Sequence, residues 1–393
     1  MDKIRVFALD IGTRKIVGLL LEKNNNGYGV IDVEILEHTT RAMMDGQIHD
    51  VEAVAASIRQ IKNALEERQG IILDSVAVAA AGRALKTSRG SCYKSRQHLS
   101  ELSADEVRAL EIEAVQEAQF KLAQEEIGDN EHSNYFCVGY SVVAYLLEGQ
   151  VIGNLVGQVG GEVAVEIIAT FLPRVVVDSL FSSLNRTDLE VKSLTLEPIA
   201  ALSVAIPPGM RLLNLALVDI GAGTSDIALV KDGNVFAYAM VPLAGDELTE
   251  YLASQYLLDF DTAENAKRLL MKQDQIELYD ILGNCLQLST QELQQELQPL
   301  VDEMTAEIAQ NIIALNQKVT DAVVCVGGGS LTPSLTASLA EHLGIPANRV
   351  GIRTIQNIDY ITTDSGFLNS PQGITPLGIA YNHFTTQIGR AHV

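Results

Sequence analysis

Cations, cysteines and long apolar runs are all scarce in this sequence, and each scarcity excludes something. Lysine and arginine number 28 against 50 aspartates and glutamates, a formal net charge of −22 with a pI near 4.7. That charge repels a phosphate backbone or an anionic bilayer at long range, which argues against nucleic acid as a general partner. Cys92, Cys137, Cys285 and Cys325 lie far apart, with no Cys-x-x-Cys pair and no nearby histidine pair. Neither a zinc site nor a disulfide framework is suggested, and a reducing cytosol fits best. The chain starts MDKIRVFALD, acidic at position 2, and no stretch approaches the roughly 18 uncharged apolar residues of a spanning helix. As written it reads as neither secreted nor transmembrane.

What is present is enough apolar material for more than one core: 393 residues, 47 % hydrophobic and 20 % charged, predict two domains or more. One internal repeat stands out. Ala8–Thr13 (ALDIGT) followed by IVGLLLEKNNNG is matched by Leu217–Thr224 (LVDIGAGT) followed by IALVKDGN. Each copy reads as an apolar strand ending in Asp-Ile-Gly, a turn of small residues, a second apolar strand and a second turn, which predicts a β-meander used twice. A Walker P-loop or a Rossmann fingerprint would need a helix straight after the glycines, and no GxxxxGK[ST] occurs.

Such hairpins suit a polyphosphate. Gly12, Gly221 and Gly223 let the main chain approach closely, successive amides in a tight turn form an anion-binding concavity, and Thr13, Lys15, Thr224 and Ser225 can add side-chain donors. Asp10 and Asp219, each at a strand end, can hold Mg²⁺ directly or through its water shell. Asp-Ile-Gly at a strand end is also an ordinary turn; two copies in matching context favour the phosphate clamp. A third element follows at Ala322–Ser330 (AVVCVGGGS): an apolar strand, then Gly327, Gly328, Gly329 and Ser330, then helical spacing up to Gly344 and Pro346. Amides at that helix start would suit a phosphate or ribose.

Together, in this order, the three elements resemble the superfamily of actin, DnaK-type chaperones and sugar kinases. The resemblance implies ATP with Mg²⁺ between two phosphate hairpins and a glycine-rich adenosine motif. Leu196–Ala201 (LEPIAA) looks like that superfamily's connecting segment, which makes Glu197 the catalytic candidate, the residue that positions the attacking water; an acidic helix start before Pro198 is the other reading. Between the hairpins, Ala81–Gly90 (AGRALKTSRG) resembles the entry to the insertion particular to the FtsA family. A helix opened by the capping box Ser103-Ala-Asp-Glu106, with Val107, Leu110, Ala114, Val115 and Ala118 on one face, is expected to pack on strands within NYFCVGYSVVAYLLEGQVIG. Ala263-Glu264-Asn-Ala-Lys267 matches that family's Ala-Glu-x-x-Lys, which implies Glu264 and Lys267 as ribose and adenine ligands; a solvated i,i+3 ion pair is the alternative.

The expected architecture is therefore α/β: an actin-like, duplicated ribonuclease H-like two-domain fold with an FtsA-type α+β insertion. The first half spans 1–83, completed by 165–204 and 375–387. The insertion spans 84–164 and the second half 205–374. A long amphipathic stretch from Thr290 to Val319 reads as a core helix leading to the glycine motif, with Pro299 predicting a break or a new start within it. Two departures from the family pattern are Arg14, where a small hydroxyl residue is usual, and Ala222, where a glycine is usual. Ala222 would matter if its position required positive φ.

The resemblance also implies a head-to-tail filament of the chain with itself, an FtsZ-like division protein as partner, and at most slow ATP hydrolysis. It implies membrane association through a C-terminal amphipathic segment that is not in this chain, or through a partner. Residues 388–393 (IGRAHV) match what read-through into a widely used sequencing adapter would encode and are read as a non-native tail. Other readings are a PilM-like pilus assembly scaffold and a small-metabolite kinase. A DnaK-type chaperone would require a further substrate-binding domain.

Overall fold

The computed structural model describes residues 4–25, 27–38, 41–44, 46–80, 85–97, 99–125, 135–355 and 360–385. The proposed tail at 388–393 and the start of the AGRALKTSRG segment, 81–84, lie outside the described residues.

Chain order opens with a meander of β1 (Arg5–Ile11), β2 (Lys15–Asn24) and β3 (Gly27–Glu37). A small ribbon, β4 (Met43–Met44) and β5 (Gln47–Ile48), precedes α1 (Val51–Gln69) and β6 (Ser75–Ala80). Then come β7 (Lys86–Ser95), α2 (Ala104–Glu125), β8 (Tyr135–Leu147), β9 (Gln150–Ile152), β10 (Glu162–Pro173), α3 (Arg174–Asn185), β11 (Glu190–Leu196) and α4 (Glu197–Ala205). The second meander is β12 (Leu215–Ile220), β13 (Ser225–Lys231) and β14 (Asn234–Val241), followed by α5 (Gly245–Tyr256) and α6 (Phe260–Leu269). β15 (Gln275–Tyr279) and β16 (Cys285–Ser289) pair as a hairpin before α7 (Thr290–Asn316), β17 (Ala322–Val326) and α8 (Leu335–Leu343). The chain closes with β18 (Val350–Ile352), β19 (Ile361–Thr362) and α9 (Ile374–Phe384).

Two sheets repeat one topology. The first runs β11-β6-β1-β2-β3-β19 and the second β18-β17-β12-β13-β14. In each, an antiparallel meander is extended by two strands parallel to its first. This is the duplicated actin-like fold. The parallel strands are buried on both faces and read as unbroken apolar runs, as in Leu215–Ile220, where every residue is buried. β19 crosses over from the second stretch of chain and pairs with β3 of the first sheet. Between the sheets, α4 and α9 pack against one another, and a Cβ on Gly378 would overlap the Ala200 carbonyl. Only glycine allows that approach of two backbones.

The helices obey local rules. α1 starts where Asp50 caps the Ala53 amide at 3.0 Å and ends on Gly70 at φ +63°. α2 starts on the capping box: the Ser103 amide donates to Glu106 at 2.8 Å and the Glu106 amide to Ser103 Oγ at 3.2 Å. Val107, Leu110, Ala114 and Ala118 are buried against the four-stranded sheet β7-β10-β8-β9, with Phe171, Val163 and Val165 beneath them. That sheet's other face rests on β14: Ser141 Oγ and Tyr238 Oη meet at 2.9 Å.

At Pro299 the structure corrects the expectation of a break. α7 runs unbroken through it for 27 residues. Interior proline costs roughly 3 kcal/mol, and burial of Leu293, Leu297, Val301, Met304, Ile308 and Ile312 along one face outweighs that. No helix among the described residues is long and apolar enough to cross a membrane.

Candidate functional site

Both hairpin turns close in the same way. The Gly12 amide donates to the Lys15 carbonyl at 3.0 Å and the Gly221 amide to the Thr224 carbonyl at 2.9 Å. A Cβ at either glycine would sit 3.2 Å from that same carbonyl, so each turn is as tight as its glycine permits. Asp10 pairs in register with Val17 and Asp219 with Asp226, so each aspartate stands at a strand end one residue before the strand's last. Ala222 has no positive φ, so its side chain carries no backbone strain.

Carboxylates converge there. Burial, then Asp219, raises Asp10 to about 7 against the pull of Lys15, and burial raises Asp219 to about 6 although the Thr375 hydroxyl donates to it. Burial and Asp219 likewise bring Asp226 to about 7. Glu197, the first residue of α4, is pushed well above the usual carboxylate range by burial and by Asp10, Asp226 and Asp219. Lys15 answers them in part: burial lowers it to about 8, Asp10 opposes that, and its ammonium donates to Gln372 and lies 4.3 Å from the Phe367 ring centre. Of the four acids only Asp10 is answered by the ammonium, so the cluster is short of positive charge, which is the chemistry of a cation site. No three of the described acidic, histidine or cysteine side chains are close enough to ligate a metal directly. The set fits an ion that keeps its own water shell and touches few carboxylates.

The glycine-rich motif abuts this cluster from the second half. Gly327, at φ +81°, lies so close to Asp219 that a Cβ would overlap its carboxylate and the Ile220 carbonyl. Its amide donates to the Pro371 carbonyl at 3.1 Å, which places the segment carrying Gln372 and Thr375 beside both hairpins. Gly328 faces Gln372, and Gly329 packs on Ile220. Gly329–Leu331 forms a 3₁₀ turn, and α8 begins only at Leu335, so the glycines do not open the α-helix that their spacing predicts.

Several hydroxyls counted as phosphate donors have internal partners. Ser225 Oγ donates to the Leu243 carbonyl at 2.7 Å, Ser330 Oγ to the Gly327 carbonyl at 2.7 Å and Thr224 Oγ1 to Asp226 at 3.3 Å. Thr13 Oγ1 accepts from the Gly46 amide at 3.0 Å, and Gly223 is buried in its turn. Glu264 and Lys267 pair with each other at 2.7 Å and are mostly buried, so this i,i+3 pair is not a solvated one. Lys267 also donates to the Gly245 carbonyl at 2.7 Å, and Arg268 holds the other Glu264 oxygen at 2.9 Å. Burial opposes ionisation of Glu264, yet Lys267, Thr249 and Arg268 hold it down to about 2.

Sequence reasoning overlooked Asp226, Gln372, Thr375 and the cross-cleft partner of Arg14. Asp226 alone had a local signal, an acid in register with Asp219 across the second hairpin. The others come from chain segments far from either turn. Arg14 Nη2 meets Asp246 Oδ1 at 2.5 Å, and on the same seam Arg41 meets Glu250 at 2.5 Å and Arg268 meets Glu37 at 2.9 Å.

Comparison with known proteins agrees with this geometry. The family model described as cell division protein FtsA matches residues 216–378. Cell division protein FtsA of Pseudomonas aeruginosa is 24 % identical over 92 % of this chain and 88 % of its own. That of Bacillus subtilis is 24 % identical over 86 % and 76 %, and that of Escherichia coli K12 is 22 % identical over 94 % and 90 %. Among solved structures, one described as a PilM-PilN type IV pilus biogenesis complex superposes with a TM-score of 0.69 at 17 % identity, over 97 % of this chain and 99 % of that one. MreB5 of Spiroplasma citri bound to ADP superposes at 0.52 and 13 % identity, over 98 % and 97 %. Duplicated sheets, paired Asp-Ile-Gly hairpins and these alignments together show an actin-like fold in a chain that is similar to cell division protein FtsA along most of its length.

Proposed function

We propose that this chain is an ATP-binding, actin-like cell division protein whose cleft takes Mg-ATP between its two hairpins. The supporting observation is the convergence of Asp10, Asp219, Asp226 and Glu197 on two matched glycine turns. Asp10 and Asp219 would hold the hydrated Mg²⁺, the Gly12 and Gly221 turns and Lys15 would face the phosphates, and Gly327–Ser330 would border the nucleoside. Glu197, whose proton burial and the neighbouring acids now favour, would ionise once a cation offsets those acids and would then orient a water in slow turnover. When bound, Mg-ATP supplies a cation for the acids and a polyphosphate that spans both halves, 1–83 with 165–204 and 375–387 on one side and 205–374 on the other.

Closure of that cleft would order the chain for a head-to-tail filament, a heterologous contact that need not close on itself. An FtsZ-like protein is the proposed partner, with a location at the cytoplasmic face of the division site reached through a further C-terminal segment or another protein. Isothermal titration calorimetry with Mg-ATP tests the site. Wild type is expected to bind and the Asp10→Ala, Asp219→Ala double variant to lose binding; unchanged affinity overturns the reading. Close superposition along the whole chain also favours a scaffold like PilM. Capture of FtsZ rather than PilN from defined mixtures supports the division reading, and the reverse supports the scaffold.

A further inference from the structure

Arg14 occupies the turn position of the first hairpin that Gly223 holds in the second, and its side chain does not stay in its own half. The guanidinium crosses the cleft to Asp246, the second residue of α5, with Nη2 at 2.5 Å from Oδ1. Its plane lies against Phe260 at the start of α6, 4.2 Å from the ring centre, and Arg41 approaches the same ring at 4.8 Å. The Asp246 amide donates to the Ala222 carbonyl at 2.7 Å, so Asp246 is tied to the second hairpin turn while it holds an arginine from the first. Arg14 Nε is buried and has no acceptor.

A buried N–H without a partner is costly, and a guanidinium is built to fork onto two acceptor oxygens at once. Asp246 takes only Nη2. A terminal phosphate offers three oxygens and can take Nη2 and Nε together. Asp246, once released, keeps favourable company in the first turn of α5 and near Lys267, while the Phe260 face can support the guanidinium in either pairing.

We propose that Arg14 is a phosphate-responsive latch: it ties the two halves together through Asp246 and exchanges that carboxylate for the terminal phosphate of a nucleoside triphosphate. This rests on the nucleotide reading above and goes beyond it in assigning a cross-cleft residue that distinguishes triphosphate from diphosphate. The second hairpin, with glycine at the equivalent place, has no such arm.

The test compares Mg-ATP and Mg-ADP affinity in wild type, Arg14→Gln, Arg14→Lys, Asp246→Asn and the Arg14→Gln, Asp246→Asn double variant. It adds hydrogen exchange of the first α5 turn without nucleotide. Asp246→Asn frees the guanidinium and is expected to tighten ATP about tenfold relative to ADP, and Arg14→Gln to weaken ATP by a similar factor with little change for ADP. The double variant should match Arg14→Gln, because Asp246 acts through Arg14. Arg14→Lys keeps the charge without the fork and should lose the ATP preference while leaving α5 protected. Either neutral single variant should speed exchange at α5. Equal shifts for ATP and ADP, or tighter ATP binding in Arg14→Gln, overturn the exchange. Wild type that binds neither nucleotide overturns the nucleotide reading and the exchange together, with α5 protection still reporting the Arg14–Asp246 tie.

Discussion

Replacing Asp226 with asparagine should make the protein more stable, and by an amount that depends on pH. The carboxyl is buried, with 4 % of the residue exposed, and its hydrogen-bond partner is Thr224 Oγ1 at 3.3 Å. In the fold it keeps its proton up to about 7, whereas its ordinary value is 3.8. Folded protein therefore binds more protons than unfolded between those limits, and stability falls as pH rises through the window. The full displacement corresponds to at most about 4 kcal/mol, and because Asp219 shares the effect roughly half, ~2 kcal/mol, is a fair expectation for one substitution. For a chain of this length that amounts to a melting shift of about 2–3 °C. Asparagine keeps the shape and drops the charge. Its advantage should grow from pH 5.5 to about 7 and stay level to pH 8, as read by thermal melts in low-salt buffer without Mg²⁺. An advantage that ignores pH, or a loss of stability across the range, would refute the idea that this acid is held in the fold at a cost.

Other expectations concern backbone contacts and caps. Gly327→Ala forces a left-handed φ of +81° on a residue with a Cβ and drives that Cβ into Asp219, so a loss of about 3 kcal/mol or more is expected in urea unfolding, with Mg-ATP binding abolished. Gly378→Ala should cost a similar ~3 kcal/mol by prising α9 from α4 at the Ala200 carbonyl, seen as a lower melting temperature. Ser103→Ala removes half of the capping box and should cost about 1 kcal/mol, with faster hydrogen exchange confined to the first turn of α2 and nucleotide affinity unchanged.

The parts of the site that sequence reasoning reached are those whose chemistry is local. A strand that ends in Asp-Ile-Gly and turns back on itself carries its own instructions, since alternation, turn glycine and the acid all fall within a few residues. Two copies of that unit predicted a meander used twice, the glycine-rich motif after them completed the resemblance that implied a duplicated actin-like fold, and the capping box at Ser103 was likewise self-contained. Misjudgements came where distant packing overrode a local rule. Pro299 should interrupt a helix, but burial of Leu293, Leu297, Val301, Met304, Ile308 and Ile312 holds α7 straight. The glycines after β17 should open a helix, but Gly327 is committed to Asp219 and Pro371, and α8 starts later.

By itself, then, the sequence determined the strand ends, the two matched turns and the acids Asp10 and Asp219 beside them, because hydrophobic period and turn chemistry act over short range, whereas Glu197 was singled out only by family resemblance. Only the tertiary structure decided which charges meet. It brought Gln372 and Thr375 from the start of the last helix to Lys15 and Asp219, and joined Arg14 to Asp246 from the other half. Such pairings depend on how two sheets and the α4–α9 contact are placed in three dimensions, and residues 156 to 357 positions apart leave no trace of that placement in any local pattern.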